Sequence, residues 1–578
     1  MLTNETKRRI DNCRDILVGK LPDPKSQVEQ ITIALIYKFM DDMDRFLRPR
    51  RFGKSLFVSL LEYYYDKQYK ELDIFDNLYI GKNHTKLKSS YYVLSFTFSG
   101  IDTKTEESTE EGFNNRVENG IKRFLNRHNI DMHIDATKSA GEMLDDFQTE
   151  IQEYIDGKIY LLIDEYDHFA NELLGFNEET PSLPPPNLGG GKVGVVSKNG
   201  FVRKFYEVIK EGTKIGVVDR IFITGVTPIT LDSMTSGFNI GSDFTLKPLL
   251  NEMMGFTTEE VYKLAENTIK DTFDIGETIN HLKLYYDGYN FHRKSKHHLY
   301  NSDMVLYYIN EIQQTGEEPE NMIDSNIASD YGKIGKLFEV GGRDSKRMDV
   351  LKSIIKGNLQ FVVMQRKFNL EIEFTLDDFK TLLFYMGLMT IKEVDEFGDT
   401  YIGLPNQVIR ELYFEYFQKL IEDETNFKVE SKGIAAAIKE VARDGKLSKL
   451  IELTETTLKK LSDRDFLKFE EKYVKIIMLG FLFKSKLYTV KSEYPVEDGY
   501  IDIALLRGRV GNPKHYALIE IKYIKKSDFS EELIEKKLND AKTQLDRYVQ
   551  ADELKDMPNL KRFALVFCGD KCVREEIL

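Results

Sequence analysis

Over roughly the first 250 residues, short apolar runs alternate with helical patterns. Tyr91–Phe98 (YYVLSFTF), Ile159–Ile163 (IYLLI) and Arg220–Thr224 (RIFIT) are apolar or nearly so, and turn or polar residues bound them. A strand with one face in water alternates apolar and polar positions. Strands without that alternation are buried on both faces, as in a parallel sheet covered by helices. With helical segments between them, these runs predict α/β layering. From about 251 to 440 the pattern is mostly helical. Phe256–Lys270 opens with Thr257 followed three residues later by Glu260, the signature of a capping box. Tyr285–Phe291 (YYDGYNF) reads as an aromatic-rich turn, and amphipathic helices continue over 441–465. From about 466 the order predicted is helix, strand, strand, helix, strand. Pro181–Lys192 (PSLPPPNLGGGK), within Glu178–Asn199, predicts a surface loop or flexible insertion. The division expected is 1–250, 251–465 and 466–578.

Composition narrows this picture. A chain of 578 residues carries a prior of three or four domains. Its net charge of −14 argues against a protein that coats nucleic acid non-specifically. Local phosphate contacts need only a basic stripe, for which Lys514, Lys522, Lys525 and Lys526 are candidates. The start is polar, and the longest apolar runs, such as Ile476–Phe483, fall short of the ~20 residues that cross a bilayer. The expectation is a cytoplasmic protein without a membrane partner. Cys13, Cys568 and Cys572 form neither a disulfide framework nor a four-ligand zinc site, and Cys568 and Cys572 read as a strand-end thiol and a tail thiol.

Arg48–Ser55 reads RPRRFGKS, and Gly-Lys-Ser is the ending of a phosphate-binding loop. Gly53 permits the tight turn that presents N–H groups, Lys54 reaches the terminal phosphates, and Ser55 offers a hydroxyl to Mg²⁺. Arg51, Phe52, Gly53, Lys54, Ser55 and Leu56 are the candidate nucleotide contacts. An apolar helix over Leu56–Tyr64 would place the phosphates at its positive end. Arg48 stands where the usual first glycine falls. Tyr160–Asp167 (YLLIDEYD) supplies a strand ending in acids, 110 residues after Lys54. Asp164 would hold Mg²⁺ beside Ser55, and Glu165 would polarise the attacking water. The alternative is a buried strand that ends in solvated carboxylates. Thr224, at the end of the next core strand, is the candidate γ-phosphate sensor; Arg220 and Arg203 are candidate charge stabilisers.

Gly499–Leu505 (GYIDIAL) and Ala517–Tyr523 (ALIEIKY) are two further strand-like runs. Glu520 and Lys522 are two apart and share one face, with Ile519, Ile521 and Tyr523 on the other. Charges in an apolar strand are costly unless they serve a site. Asp502 and Glu520 are hard oxygen ligands suited to Mg²⁺ or Mn²⁺, and Lys522 would position or deprotonate water. The alternative is a sheet with an exposed Glu–Lys ladder.

FLRPRRFGKSL, YLLIDEYD and RIFITGVTPIT, in this order, resemble the AAA-ATPase-like family found with a C-terminal PD-(D/E)XK nuclease domain. YYDGYNF resembles that family's middle region. The Asp502-x17-Glu520-x-Lys522 spacing resembles the PD-(D/E)XK superfamily over about 466–570. This second resemblance adds Glu471, on the helix that opens the fold, as a further metal ligand, with Glu470 the neighbouring alternative. It also adds Gln544 on the following helix, with Tyr548 one turn on. Together the resemblances imply a P-loop parallel-sheet ATPase core, a helical middle region and a restriction-endonuclease-like α/β domain. They imply ATP and Mg²⁺ (or Mn²⁺ at the nuclease site) as cofactors and DNA as the partner, and they allow a homo-oligomer. The function implied is an ATP-dependent nuclease acting on mobile or phage DNA. Two alternatives stand beside it: a nucleotide-switched nucleic-acid-binding protein that cuts poorly, and a signalling or scaffold ATPase.

Overall fold

The computed structural model describes residues 44–76, 79–102, 105–168, 200–230, 242–295, 297–319, 321–324, 345–355, 357–369, 375–425, 431–462, 471–484, 487–496, 499–508, 512–548, 554 and 557–578. Cys13, Glu470 and the 178–199 insertion lie outside these residues. The chain divides into two compact units. The first comprises Met1–Glu317, Met322–Leu351 and Leu359–Gln407; the second comprises Glu318–Asn321, Lys352–Asn358 and Val408–Leu578.

The first unit is built on a parallel sheet. Its strands are β1 (Asp44–Leu47), β2 (Tyr92–Thr97), β3 (Ile159–Asp164), β4 (Val218–Gly225) and β5 (Ser242–Asp243), in the order β2-β3-β4-β1-β5. The three apolar runs are thus strands, and β3 is buried at every position, as a run without alternation requires. β1 and β5 were not anticipated, because four and two residues are too short to display a period. Helices α1 (Lys54–Tyr65), α2 (Glu106–Arg127), α3 (Ala140–Glu150) and α4 (Phe201–Lys214) connect the strands. In α4, Phe201, Val202, Phe205, Tyr206 and Ile209 form the buried stripe of an amphipathic helix. The chain order of the sheet is what builds the site. β4 lies between β1 and β3, so the loop after β1 and the acids after β3 flank one strand end.

Beyond β5 the unit adds α5 (Thr258–Thr268), α6 (Ile275–Tyr286) and α7 (Ser302–Thr315). Thr257 and Glu260 form the predicted capping box. This part is less helical than expected. It also holds an antiparallel sheet of β6 (Gln360–Val362), β7 (Thr390–Val394) and β8 (Thr400–Gly403), in the order β6-β8-β7. The YYDGYNF turn is a buried hub. Gly288 has φ +104°, and an added Cβ would lie 2.1 Å from the Pro405 carbonyl oxygen, so only glycine fits. The Asn290 amide donates to Thr390 Oγ1 at 2.7 Å and the Phe291 amide to Asn251 Oδ1 at 2.9 Å. Side chains therefore satisfy backbone groups that no strand pairs.

In the second unit, α8 (Ser431–Asp444), α9 (Ser448–Ser462) and α10 (Glu471–Leu482) precede a mixed sheet. Its strands are β9 (Tyr488–Val496), β10 (Gly499–Arg507), β11 (Tyr516–Ile524), β12 (Leu560–Cys568) and β13 (Lys571–Ile577), ordered β9-β10-β11-β12-β13. The order along the chain corrects the expected one. It is helix, three strands, the helix α11 (Glu531–Tyr548), then two strands. β11 and β12 are parallel, and the other neighbours are antiparallel. Ile534, Leu538, Ala541 and Leu545 of α11 cover Leu518, Ala564 and Val566 of the sheet. Cys568 ends β12 and Cys572 lies in β13. Among the described residues, no helix is long and apolar enough to cross a membrane.

Candidate nucleotide cleft and acidic-lysine site

The loop from β1 to α1 turns through two left-handed residues, Arg51 (φ +68°) and Gly53 (φ +87°). An added Cβ at Gly53 would meet nothing within 4 Å, so the backbone conformation and not crowding asks for glycine there. Arg48 does not face a ligand. Its guanidinium is fully buried and donates to the carbonyls of Leu47 (2.9 Å), Thr245 (2.8 Å) and Leu250 (2.7 Å). It also stacks 4.2 Å over the rings of both Phe46 and Phe291. Burial pulls its pKa down to about 9, so it stays charged at neutral pH. The residue that breaks the glycine pattern is a strut holding the loop to the chain after β5. Phe52 is likewise an anchor. It is buried and packs edge-on against Tyr289 and Phe291, at 5.1 and 5.4 Å. Its backbone alone is available to a phosphate.

Lys54 is buried at the start of α1, its ammonium donating to the Pro49 carbonyl at 2.8 Å. Burial lowers its pKa to about 8, against the pull of Asp164, Glu165 and Asp167. Burial raises the Asp164 carboxyl, with the Ser55 hydroxyl and Lys54 opposing the rise. Oxygen donors at the start of α1 and the end of β3 suit a Mg²⁺ ion. Glu165 follows with φ +52°, its amide donating to Asp164 Oδ1 at 2.9 Å. A hydrogen bond from His168 holds its carboxyl below the usual range, with burial opposing. These groups line a cleft of about 470 Å³ with Arg50, Arg51, Leu56, Ser99, His168, Ser302 and Asp303. Asp303, on α7, lies 3.6 Å from the Arg51 guanidinium.

Thr224 lies on β4 between the two acidic and basic strand ends. It is fully buried, and its hydroxyl has no hydrogen-bond partner among the described residues; it does not line the cleft. Arg220 sits near the start of β4, at the opposite end of the strand, where Nε donates to the Tyr91 hydroxyl at 2.9 Å. That position removes it as a charge stabiliser for this cleft. Arg203 pairs with Glu207 on α4 at 2.8 Å. Asp167, the third acid of YLLIDEYD, has a structural role. It accepts from the amides of Val226 and Thr227, at 3.0 and 2.6 Å, and from the Thr227 hydroxyl at 2.7 Å. His168 and Asp303 were missed. His168 follows the acids by one turn, a signal that could have been used; Asp303 carried none.

In the second unit the ladder between β10 and β11 stops at Ile503↔Ile519. Beyond it, side chains take over from backbone. The Ile521 amide donates to Asp502 Oδ2 at 2.9 Å, and the Asp502 amide approaches Glu520 Oε2 at 3.5 Å. Lys522 donates to Glu520 Oε1 at 2.8 Å. Glu520 is buried and its pKa is pushed up to about 7, first by burial and then by Asp502, with Lys522 opposing. Asp502, Glu520 and Lys522 therefore converge, as the spacing predicted, and Glu520 is not part of an exposed ladder. A buried carboxylate and a half-buried one that repel one another fit a divalent cation. Among the described residues no group of three or more His, Cys, Asp or Glu side chains gathers there. Glu471 opens α10, but its side chain is outside the description.

Lys475, one turn after Glu471, was missed. Its ammonium lies 3.1 Å from Asp502 Oδ1. Gln544 and Tyr548 are on α11; Gln544 Oε1 is buried without a partner among the described residues. Burial and then the Glu520 charge raise the Tyr548 hydroxyl. The basic stripe does not hold together. Lys514 precedes β11, while Lys525 and Lys526 follow its far end, where Lys526 pairs with Asp570 at 2.5 Å.

Residues 33–235 match the family described as "Predicted AAA-ATPase", and residues 469–577 match the PD-(D/E)XK nuclease superfamily. No curated protein matches the chain. Among solved structures, the chain is similar to the ORC2 protein of Aeropyrum pernix in ADPNP and ADP complexes. Identity is 9%, 72% of this chain and 94% of that one are covered, and the TM-score is 0.32.

Proposed function

Since the chain joins an AAA-ATPase-like domain to a PD-(D/E)XK nuclease superfamily domain, we propose that it binds and hydrolyses ATP and carries a divalent-metal-dependent phosphodiesterase acting on DNA. The observation that carries the reading is the opened β10–β11 ladder, where Asp502, Glu520 and Lys522 replace backbone pairing with a charged centre. In the first unit, Lys54 and the loop amides would bind the phosphates. Ser55 and Asp164 would hold Mg²⁺, and Glu165 would accept the proton of the attacking water. In the second, Asp502 and Glu520, with Glu471, would hold Mg²⁺ or Mn²⁺. When bound, that ion supplies charge stabilisation at the scissile phosphate. Lys522 orients water, while Lys475 and Gln544 bind the strand. We place the protein in the cytoplasm, as a homo-oligomer, in defence against mobile or phage DNA.

A second reading is a nucleotide-switched DNA-binding protein that does not cut. It is favoured by the two lysines that already neutralise the two carboxylates. Purified protein is incubated with linear, circular and single-stranded DNA, with Mg²⁺ or Mn²⁺, with and without ATP, beside Asp502→Ala. Cleavage by wild type alone is the expected result. Salt-sensitive binding without cleavage selects the second reading, and neither binding nor cleavage removes DNA as the partner.

A further inference from the structure

Glu165 has an unusual setting for a long, flexible carboxylate. Its backbone is left-handed (φ +52°), and the chain curls after it: the His168 amide donates to the Glu165 carbonyl at 3.1 Å. That turn folds the His168 ring back over the Glu165 side chain. Both ring nitrogens are engaged. The Gly100 amide, just past the end of β2, donates to Nε2 at 3.2 Å, and Nδ1 lies 3.4 Å from Glu165 Oε2. A backbone amide can only donate, so Nε2 must be the accepting nitrogen. The neutral ring then carries its proton on Nδ1, facing the carboxylate. Both His168 and Glu165 line the cleft that holds Lys54 and Ser55, and so does Ser99, the neighbour of Gly100.

We propose that His168, neutral and protonated on Nδ1, is the positioning residue for Glu165, fixing one carboxylate oxygen so that the other is aimed at the water that attacks the nucleotide. The inference rests on the reading of the first unit as an ATPase. In this role His168 acts through Glu165 and not on the nucleotide itself. The Gly100 amide has a part as well, because it selects the tautomer. A ring protonated on Nε2 would meet the amide donor to donor and would offer Glu165 a lone pair. The arrangement places a base-orienting group on the turn that bears the base, and references it to the neighbouring strand β2.

The test is steady-state ATP hydrolysis and nucleotide binding with the full chain. His168→Ala should lower kcat by tenfold or more while KM and ATP affinity stay within about twofold, since a base that is present but unaimed loses transition-state and not ground-state interactions. His168→Asn offers an amide N–H near the Nδ1 position and should retain at least about a third of wild-type kcat. His168→Gln reaches instead to the Nε2 position, leaves Glu165 without its donor, and should be as slow as His168→Ala. In a Glu165→Gln background, His168→Ala should have no further effect, because the two act as one unit. If His168→Ala does not fold, the Asn and Gln variants decide: Gln as fast as wild type with Asn slow overturns the proposal. So does unchanged kcat in His168→Ala, a raised KM at unchanged kcat, or an equal loss in the Glu165→Gln background. A wild-type protein that binds ATP without hydrolysing it removes the ATPase reading, and this proposal with it. Wild-type turnover beside an equally active His168→Ala removes this proposal alone.

Discussion

Under the proposed function Lys54 would bind anionic phosphates from a buried position, and burial lowers its pKa to about 8. Above that pH the free protein loses the charge, while bound phosphate favours the charged form. ATP binding should therefore take up a proton, and affinity should fall as pH rises from 7 to 9.5. Calorimetry in buffers of different ionisation enthalpy reads both; pH-independent affinity would contradict the assignment. Lys54→Ala should weaken ATP binding at least tenfold at pH 7, about 1.4 kcal/mol. Arg48 shows the opposite use of a cation. Replacing it by Leu leaves buried carbonyls unsatisfied, at a cost of about 2–4 kcal/mol, to be measured by urea unfolding. A change within about 0.5 kcal/mol would mean the strut is dispensable. The sequence showed Arg48 only as a misfit in a glycine pattern. Its partners, Thr245 and Leu250, are about 200 positions away, and nothing in the local pattern tells which way a guanidinium turns.

At the scale of elements, the apolar inner strands of the second unit's sheet were legible and its edge strands were not. β10 and β11 were visible because apolar residues surround their charged positions, Asp502 in one and Glu520 and Lys522 in the other. β13 (KCVREEI) is exposed or half-exposed at every position, and β9 carries polar residues through its length, so neither has the apolar run that marks a strand. The charged centre was legible for the reason it exists: Glu520 is the acid that a buried strand would not otherwise carry. Burial and the Asp502 charge raise its pKa, so a divalent ion binding there competes with a proton as pH falls. Mn²⁺ affinity should rise as pH goes from 6 to 8, and Glu520→Gln should flatten that rise; an equally steep rise in the variant would assign the proton elsewhere. Asp502→Ala and Glu520→Ala should each abolish metal-dependent cleavage. Lys522→Ala should slow it with metal binding retained, and double variants should lose little more. Full cleavage in either carboxylate variant would remove the centre.

For the whole molecule, the first unit extends further than the motifs that mark it. The family match ends at 235, yet the loop is held by Thr245 and Leu250, and the cleft includes Ser302 and Asp303. A chain ended at 235 should not bind ATP, whereas one ended at 407, the close of the first unit, should; fluorescent-nucleotide titration of the two distinguishes them. Equal binding by the shorter chain would show that the later residues are dispensable. The same long-range closure sets a clock on synthesis. β1 pairs only with β4 and β5, through Asp44↔Phe222 and Asp44↔Ser242 among the described residues. At roughly 5–20 residues per second, a ribosome needs roughly 10–40 s to travel from Lys54 to Leu250. For most of that interval the nascent phosphate loop has no β4 to lean on, and the Thr245 and Leu250 carbonyls that Arg48 uses come last. Under the proposed function nucleotide would then bind only a chain whose first sheet is complete, so ATP would stabilise a unit already built and not template the early steps of folding.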